Sequence, residues 1–253
     1  RKPMQFASKT NREAREIWVR DQLGEIRKQL GNSPTVLDVG AGEGVYRKTL
    51  ESLGFSYHAQ DFAALTPNSS PTGLETQSWS YTPLFYTCDI LDIPTDKKFD
   101  LVICTEVFEH VPDPVRSLER ISELLNPGGT CLVTVPMISL AHQAPYWFQS
   151  GLSTYWFDYW GKKFKLDTRV LLTQGDYSDF FRQEQARFLD EALGGITRSR
   201  VPLFRNIPAL LIPALDRWVD SKRSKLSQNL LSSGGFGTWY VGQKADTTNG
   251  PPR

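Results

Sequence analysis

Three glycines at alternate positions follow a short apolar run near the start of the chain. The segment VLDVGAGEG, residues 36–44, places Gly40, Gly42 and Gly44 between a predicted buried strand and a predicted helix. A glycine turn in this position lets a ligand approach the backbone, and it exposes N–H groups at the start of the helix. We therefore predict that this turn binds a nucleotide-like ligand.

The spacing of the turn and the acid before it favour one class of ligand. A dinucleotide site would place the third glycine one position later, where Val45 stands. Asp38 precedes the turn by two residues, and its carboxylate would repel a pyrophosphate but attract an ammonium group. S-adenosylmethionine carries an ammonium group and a sulfonium and has no phosphate. The residues thus favour S-adenosylmethionine over a nicotinamide or flavin dinucleotide.

Apolar strands alternate with helical patterns along the first half of the chain. A helix is predicted over 11–30, because Ile17, Leu23, Ile26 and Leu30 are spaced like one helix face. Strands are predicted at 35–39, 55–60, 84–90, 99–105 and 130–136, with helices at 45–54 and 113–129 and a polar loop at 66–83. Such alternation implies a parallel sheet covered on both faces.

These landmarks together resemble class I S-adenosylmethionine-dependent methyltransferases. DVGAGEG is similar to the first motif of that family, FDLVICTEVFEHVPDP to its fourth strand and active-site turn, and LLNPGG to the turn before its fifth strand. The resemblance covers roughly residues 34–136. It implies an α/β, Rossmann-like fold with a mainly parallel seven-stranded sheet, helices on both faces, and TWYVGQK, residues 238–244, as an antiparallel final strand.

The resemblance also implies which residues contact the cofactor. Asp61 corresponds to the acid that binds both ribose hydroxyls, Asp89 to the acid that meets the adenine amino group, and Ile90 to the apolar residue on the adenine ring. The full predicted set is Asp38, Gly40, Ala41, Gly42, Gly44, Asp61, Cys88, Asp89, Ile90, Thr105 and Glu106.

Two histidines are candidates for the chemistry of methyl transfer. A hydroxyl acceptor must lose its proton as the methyl group arrives, and an imidazole is a common base. His110 follows the fourth strand and His142 the fifth, so both belong to the carboxyl edge of the sheet, where such sheets bind ligands. We predict both as catalytic, with the alternative that His110 only shapes the pocket.

A metal site is the alternative use of the same turn. Glu106, Glu109 and His110 resemble the divalent-metal ligands of small-RNA 2′-O-methyltransferases and of ubiquinone-pathway O-methyltransferases, and His142 could be a further ligand. A cation there would lower the pKa of the acceptor hydroxyl and replace the base.

Beyond residue 136 the chain resembles bacterial methyltransferases associated with surface-polysaccharide and other glycan pathways. Aromatic rings suit a sugar, because a pyranose presents a flat C–H face that stacks on them. The residues predicted to bind the acceptor are Tyr146, Trp147 and Phe148. Many of those methyltransferases carry Asp and Arg in the stretch matching 146–150, which this chain lacks. Two of the three aromatics Trp156, Tyr159 and Trp160 are expected in the core.

The net charge of the chain limits which partners it is predicted to bind. The formal net charge is +1, with 29 basic and 28 acidic residues, so no nucleic-acid partner is predicted.

The cysteines Cys88, Cys104 and Cys131 are expected as reduced core thiols of a cytoplasmic protein. No secretory leader is expected, because the basic start has no apolar segment behind it. An apolar stretch at 203–218 beside the basic stretch 221–227 is compatible with peripheral membrane contact, or with a packed helix or a dimer contact.

The sequence predicts S-adenosylmethionine-dependent O-methylation of a sugar, a glycan or another small hydroxylated metabolite. The alternatives are a non-catalytic S-adenosylmethionine-binding scaffold and a metal-assisted O-methyltransferase. The predicted organisation is an N-terminal helical segment at 1–33, a cofactor-binding core at 34–136, an acceptor-side insertion with the final strands at 137–244, and a disordered tail at 245–253.

Overall fold

The chain divides into two compact units. One comprises Arg20–Thr173 and Gly237–Arg253, and the other comprises Arg1–Val19 and Gln174–Phe236. The computed structural model describes residues 8–64, 80–185, 188, 214, 217–219 and 221–246. Most of the predicted polar loop, most of the apolar stretch and most of the predicted disordered tail lie outside the described residues.

A seven-stranded sheet forms the centre of the fold. Its strands are β1 (Thr35–Val39), β2 (Ser56–Asp61), β3 (Tyr86–Thr87), β4 (Phe99–Thr105), β5 (Leu125–Pro136), β6 (Leu166–Gln174) and β7 (Gly237–Lys244). The strand order is β3-β2-β1-β4-β5-β7-β6. Strands β1 to β5 pair in parallel, whereas β7 runs antiparallel to β5. The predicted Rossmann-like fold is confirmed, with a mixed sheet and the expected antiparallel final strand.

Helices and 3-10 turns connect these strands along the chain. They are α1 (Ser8–Lys28), α2 (Arg47–Ser52), α3 (Pro114–Leu124) and α4 (Thr154–Lys163), with 3-10 turns at Ile90–Asp92 and Phe108–His110 and a short helix at Gln228–Leu231. Residues 177–185 are also helical. An Asp113 carboxylate caps α3 by accepting from the Arg116 amide, and Pro114 at its first turn needs no such partner.

Two predicted boundaries are wrong for local reasons. The third strand is limited to Tyr86–Thr87, because the Asp89 carboxylate accepts from the Leu91 amide and starts a 3-10 turn. Helix α3 ends at Leu124, and Leu125 is already extended, two residues before Pro127. Proline disfavours helical backbone in the residue before it, so the helix ends earlier than its apolar periodicity suggests.

The buried stripe of α1 also differs from the prediction. Ile17 is 60% exposed, whereas Val19, Leu23 and Ile26 are buried. Six residues separate Ile17 from Leu23, which turns its side chain about 120° away from the stripe at 3.6 residues per turn. Val19 takes its place, because its spacing to Leu23 and Ile26 keeps one face.

Both faces of the sheet are buried. On one face Leu37, Val102 and Val133 pack with Leu118 of α3 and Phe157 of α4 in a single apolar cluster. Residues that point the opposite way from the same strands are fully buried too: Val36, Leu101, Ile103 and Leu132. The coverage expected for a sheet of parallel strands is therefore present.

The cysteines divide between core and edge. Cys104 and Cys131 are buried in the sheet, Cys88 is half-buried, and all three are free thiols. The prediction of reduced core cysteines is therefore confirmed for the two that lie within strands.

The strand order creates a crevice at one point of the sheet edge. The chain leaves β1 for β2 on one side, while β4, the other neighbour of β1, leads to β5 on the opposite side. Open parallel sheets bind ligands at such a reversal, outside the carboxyl ends of the strands. The fold therefore places the glycine turn after β1 beside the E-V-F-E-H turn after β4.

The features predicted to favour membrane contact are only partly described. Arg223, in the basic stretch, forms ion pairs with Asp176 and Asp179 of the same compact unit, so part of its charge is neutralised locally. Among the helices within the described ranges, none combines the length and the apolar character needed to cross a bilayer.

The contact between Gly161 and Tyr240 provides a test of the packing of α4 on the sheet. A Cβ at Gly161 would lie 2.6 Å from the hydroxyl oxygen of Tyr240, which is fully buried. We expect Gly161→Ala to lower the free energy of unfolding by about 1–3 kcal/mol. The matched control is Gly24→Ala in α1, where a Cβ would meet nothing within 4 Å. It should raise the free energy of unfolding by about 0.5–1 kcal/mol. Chemical denaturation measures both, and equal effects would contradict this packing.

Candidate functional site

The glycine turn and the turn after β4 are in direct contact. Gly40 has φ +65°, and a Cβ at this position would collide with the side chain of Val107. Gly44 has φ +71° and faces the side chain of Thr82 in the same way. Only glycine combines this backbone conformation with so close an approach. Gly40 is thus required by its contact with the turn after β4, and Gly44 by its contact with Thr82.

The end of β2 holds the glycine turn through side-chain acceptors. The Gly42 amide donates to Oδ2 of Asp61 at 3.0 Å, and the Gly40 amide donates to Oε1 of Gln60 at 3.2 Å. Asp61 is 6% exposed, and its other oxygen accepts from the Ala63 amide at 2.9 Å. Burial raises the pKa of Asp61, and the amide hydrogen bonds oppose that rise. The amides of Gly42, Phe62 and Ala63 all lower this pKa, and a carboxylate with about four acceptor sites still has capacity for a ligand.

Asp38 is a buried carboxylate beside the turn. It is 2% exposed, and the Tyr57 hydroxyl donates to its Oδ2 at 2.8 Å. Burial raises the pKa of Asp38 to about 7, the Tyr57 hydrogen bond opposes this rise, and nearby Asp61 adds to it. A bound cation would favour the ionised form and repay part of the desolvation cost. This position is therefore suited to an ammonium group.

The third predicted cofactor segment borders the end of β2. The Cys88 amide donates to the Asp61 carbonyl at 3.2 Å, and the Gln60 side chain donates to the Cys88 carbonyl at 2.7 Å. Asp89 is exposed, with its carboxylate on the Leu91 amide, and Ile90 is packed in the apolar core. The structure thus brings these residues to the same sheet edge, and their contacts with adenine stay a prediction.

His110 presents one unprotonated ring nitrogen. Its Nδ1 lies 2.5 Å from the Tyr146 carbonyl oxygen. A carbonyl can only accept, so Nδ1 carries the proton and Nε2 carries the lone pair. Burial lowers the pKa of His110 to about 4, the Tyr146 carbonyl opposes this, and neighbouring His142 lowers the pKa further. The ring is therefore neutral at physiological pH.

His142 lies against His110 in the same tautomer. The two ring centroids are 4.8 Å apart at an interplanar angle of 77°. Nδ1 of His142 lies 2.9 Å from the Leu140 carbonyl oxygen, which again leaves the lone pair on Nε2. The two histidines, expected at one sheet edge, are thus in contact and offer two neighbouring proton acceptors.

A buried carboxylate completes this cluster. Glu109 is 1% exposed, and its Oε1 lies 3.8 Å from Nε2 of His110. Ligand atoms of Glu109, His110 and His142 all lie within 4.8 Å of one another. Metal-binding histidines commonly donate their other ring N–H to a backbone carbonyl, as both of these do. The cluster could therefore hold a divalent cation.

Glu106 does not belong to this cluster, which corrects the predicted metal set of Glu106, Glu109 and His110. Its backbone has φ +56°, and its carboxylate accepts from the Thr134 hydroxyl at 2.9 Å. A helix would place the first and fourth residues of E-x-x-E-H on one face. Here Glu106 has a left-handed backbone conformation just before the 3-10 turn, and its carboxylate bonds to Thr134 of β5. Thr105, the last residue of β4, is half-buried beside it.

The predicted acceptor aromatics are fixed to the histidine turn by backbone bonds. The amides of Phe148 and Gln149 donate to the Glu109 carbonyl at 2.8 Å and 3.2 Å. Phe148 is 46% exposed, whereas Trp147 is half-buried and donates from Nε1 to the Ser139 hydroxyl at 3.3 Å. The ring of Tyr146 meets the ring of Phe62 edge to face at 5.1 Å.

Comparison with known proteins decides the family. The methyltransferase-domain family matches residues 8–169, more than half of the chain. The chain belongs to this methyltransferase family. The expectation from the glycine turn onward is confirmed at that level.

Individual relatives are more distant and partial. A ubiquinone biosynthesis O-methyltransferase of Coxiella burnetii is 32% identical over 96 residues, which cover 37% of this chain and 40% of that protein. One of Xanthomonas campestris is 33% identical over 102 residues, covering 39% of this chain and 41% of that protein. The chain thus matches about two fifths of the length of these curated relatives.

A solved structure shows the same fold. It is a Galdieria sulphuraria protein provisionally assigned as a sarcosine dimethylglycine methyltransferase, with a TM-score of 0.55 and 19% identity over 92% of this chain and 86% of that chain. At this identity the likeness concerns the fold alone.

Four residues of the methyltransferase site are absent from the predicted set: Tyr57, Gln60, Phe62 and Thr82. Tyr57 lies two residues before Ala59, the partner of Asp38 in the β1–β2 register, and that register can be read only from the structure. Gln60 is a polar residue at the buried end of a strand, which is itself a signal. Phe62 and Thr82 lie outside regular strands, and no periodicity marks them.

Three further aromatics of the methyltransferase lie on α4. Trp156 and Trp160 are half-buried against the apolar core, whereas Tyr159 is 55% exposed. Two of the three therefore serve the core, as expected.

The raised pKa of Asp38 makes the stability of the methyltransferase depend on pH. Folding raises this pKa from 3.8 to about 7, so the stabilisation from its bound proton is complete below the lower value and lost as pH rises through the higher one. Asparagine cannot ionise. We therefore expect the unfolding free energy of Asp38→Asn, expressed relative to that of wild type, to be roughly 2–3 kcal/mol higher at about pH 8 than at about pH 5. Denaturant titrations at the two pH values measure it. Asp167→Asn, at an exposed carboxylate of β6, should follow wild type. A pH-independent difference for Asp38→Asn would contradict the raised pKa.

Proposed function

We propose that this protein transfers a methyl group from S-adenosylmethionine to a hydroxyl oxygen of a small hydroxylated acceptor such as a sugar or glycan. The observation that carries the proposal is the contact between His110 and His142, because each ring bonds a backbone carbonyl through Nδ1 and so leaves Nε2 as the possible proton acceptor. Proton removal from a hydroxyl needs such an acceptor beside a methyl-donor site.

The donor set around the glycine turn fits S-adenosylmethionine. Asp38 offers a buried carboxylate to the ammonium group, and Asp61 offers two oxygens to a ribose diol. Asp89 and Ile90 would meet the adenine from the start of the 3-10 turn that follows β3. The bound cofactor supplies a methyl group on a positively charged sulfur. The absence of phosphate suits two carboxylates this close to the turn, because a third anion would be repelled.

The chain's own residues orient and deprotonate the acceptor. The acceptor hydroxyl would donate to an Nε2 of the histidine pair, which would take its proton as the methyl group leaves the cofactor sulfur for the acceptor oxygen. Glu109, at 3.8 Å from Nε2 of His110, stabilises the positive charge that the pair then carries. Tyr146, Trp147 and Phe148 supply flat apolar surface for the C–H face of a sugar.

The comparisons support oxygen as the methylated atom. The two curated relatives are O-methyltransferases by name, although each is matched over only 40% or 41% of its length. The choice of a sugar or glycan rests on the aromatic segment and on its resemblance to glycan-pathway methyltransferases.

A metal-assisted O-methyltransferase is the second candidate. The ligand atoms of Glu109, His110 and His142 lie close enough to bind one cation, and both histidines have the tautomer that metal binding needs. A divalent cation there would lower the pKa of the acceptor hydroxyl, so that no protein base is required.

Binding of the cofactor is the first test. Titration calorimetry with S-adenosylhomocysteine should show binding to wild type. Asp61→Asn should weaken it by about tenfold to a hundredfold, because a charge-assisted hydrogen bond to the ribose is lost. Asp167→Asn, with its exposed carboxylate on β6, is the matched control and should bind like wild type. Wild type that binds neither S-adenosylmethionine nor S-adenosylhomocysteine would refute the cofactor assignment.

Substitution of the histidines tests the chemistry. With methyl-labelled cofactor and a panel of hydroxylated sugars and phenols, His110→Gln and His142→Gln should lower the turnover rate by about 10²–10⁴-fold. Their affinity for S-adenosylhomocysteine should stay that of wild type. His58→Gln is the matched control, because His58 lies on β2 and its ring packs against the rings of Phe85 and Phe99.

Chelation separates the two candidates in the same assay. Activity of wild type that is unchanged by EDTA supports the histidine base. Activity that EDTA abolishes and Mg²⁺ restores, together with loss of Mg²⁺ binding in Glu109→Gln, would establish the metal-assisted reaction instead.

A further inference from the structure

We propose that Tyr57 is a positioning residue for the amino-acid end of the cofactor, because its hydroxyl holds the Asp38 carboxylate in place for the ammonium group. This inference rests on the proposed function. It concerns a residue of β2 that contacts Asp38, and a set of side chains that ties the two back to the glycine turn.

The register of the sheet brings the two side chains together. Asp38 on β1 pairs with Ala59 on β2, so Tyr57, two residues before Ala59, projects from the same face. Diagonal neighbours of this kind are within reach of a long aromatic side chain. The Tyr57 hydroxyl accordingly donates to Oδ2 of Asp38 at 2.8 Å.

The Tyr57 ring is itself held by a cation. The Arg47 guanidinium carbon lies 5.6 Å from the ring centroid. Arg47 is fixed by Glu51 at 2.8 Å and by the Thr82 hydroxyl at 3.1 Å. Cation–π contacts favour this placement of a guanidinium over the face of a tyrosine ring. The position of the phenol is therefore determined by α2 and by the segment that contains Thr82.

The same segment returns to the glycine turn. The Thr82 amide donates to the Gly42 carbonyl at 2.8 Å, and a Cβ at Gly44 would meet the Thr82 side chain at 3.0 Å. The contacts run from Asp38 through Tyr57, Arg47 and Thr82 back to the turn. The carboxylate is thereby held in a fixed position relative to the backbone groups that would face the ligand.

The protonation of the phenol suits this role. Burial raises the pKa of Tyr57, and the charge and hydrogen bond of Asp38 raise it further, so the hydroxyl remains a donor. A donor stabilises the ionised carboxylate, which is the form that attracts an ammonium group. Without the hydroxyl, Asp38 would favour its neutral form or another rotamer.

The effect should depend on which part of the ligand is present. S-adenosylhomocysteine has the ammonium group, whereas 5′-methylthioadenosine shares its adenosine and thioether but lacks the amino acid. A residue that positions Asp38 should affect only the first ligand. A residue that merely maintains the fold should affect both.

The test is titration calorimetry of both ligands into wild type, Tyr57→Phe and Tyr155→Phe. Tyr57→Phe should weaken S-adenosylhomocysteine about tenfold or more and leave 5′-methylthioadenosine within about twofold. Tyr155, 85% exposed on α4, is the matched control and should change neither. Arg47→Met, which keeps the hydroxyl and removes the cation above the ring, should give a smaller loss of the same selectivity.

The outcomes separate the two proposals. Equal weakening of both ligands by Tyr57→Phe, or no weakening of S-adenosylhomocysteine, would overturn the role of Tyr57 and leave the cofactor assignment standing. Wild type that binds 5′-methylthioadenosine but not S-adenosylhomocysteine would overturn the ammonium site itself. Wild type that binds neither refutes the proposed function and, with it, this inference.

Discussion

The burial of one carboxylate constrains the whole ligand-binding edge. Asp38 stands at the carboxyl end of a central strand and is 2% exposed, where an isolated charge is costly. The Tyr57 hydroxyl limits that cost by donating a hydrogen bond to the carboxylate. The raised pKa of Asp38 reflects a charge only partly compensated by the protein. A cationic ligand at this position would compensate the charge further, so the burial that raises the pKa of Asp38 would also favour binding of a cation.

The glycine turn after β1 and the turn that carries His110 are connected by direct contacts. Gly40 meets Val107 of the turn that carries His110, so a change in either turn is felt by the other. A second connection starts at Phe62, the residue after Asp61, whose ring contacts the ring of Tyr146. The Tyr146 carbonyl in turn accepts a hydrogen bond from Nδ1 of His110. In-line transfer depends on holding donor and acceptor at a fixed separation. The contacts of Gly40 with Val107 and of Phe62 with Tyr146 link these loops at two separate points.

Local patterns predicted the strands and the glycine turn well because buried parallel strands have an unambiguous composition. The segments TVLDV and FDLVICT coincide with β1 and β4 residue for residue. The contact of Tyr57 with Asp38 was missed, because it depends on the register between two strands, which one sequence does not contain. Glu106 was grouped with Glu109 and His110 because the E-x-x-E-H spacing resembles a known metal-binding motif, whereas in the structure the third ligand beside Glu109 and His110 is His142. The positive φ of Glu106 is a backbone feature that no residue type announces.

Glu109 explains why the base-catalysed and the metal-assisted readings both fit the same turn. A carboxylate at 1% exposure favours a positive charge near it, and Nε2 of His110 is 3.8 Å away. Burial keeps His110 neutral at rest, so the attraction is exerted when a proton or a cation arrives. A proton taken from an acceptor hydroxyl and a divalent ion would satisfy the same electrostatic demand. The positive charge is a proton in the base-catalysed mechanism and a divalent ion in the metal-assisted one. In both mechanisms it would lie beside the same protein atoms, the Glu109 carboxylate and Nε2 of His110.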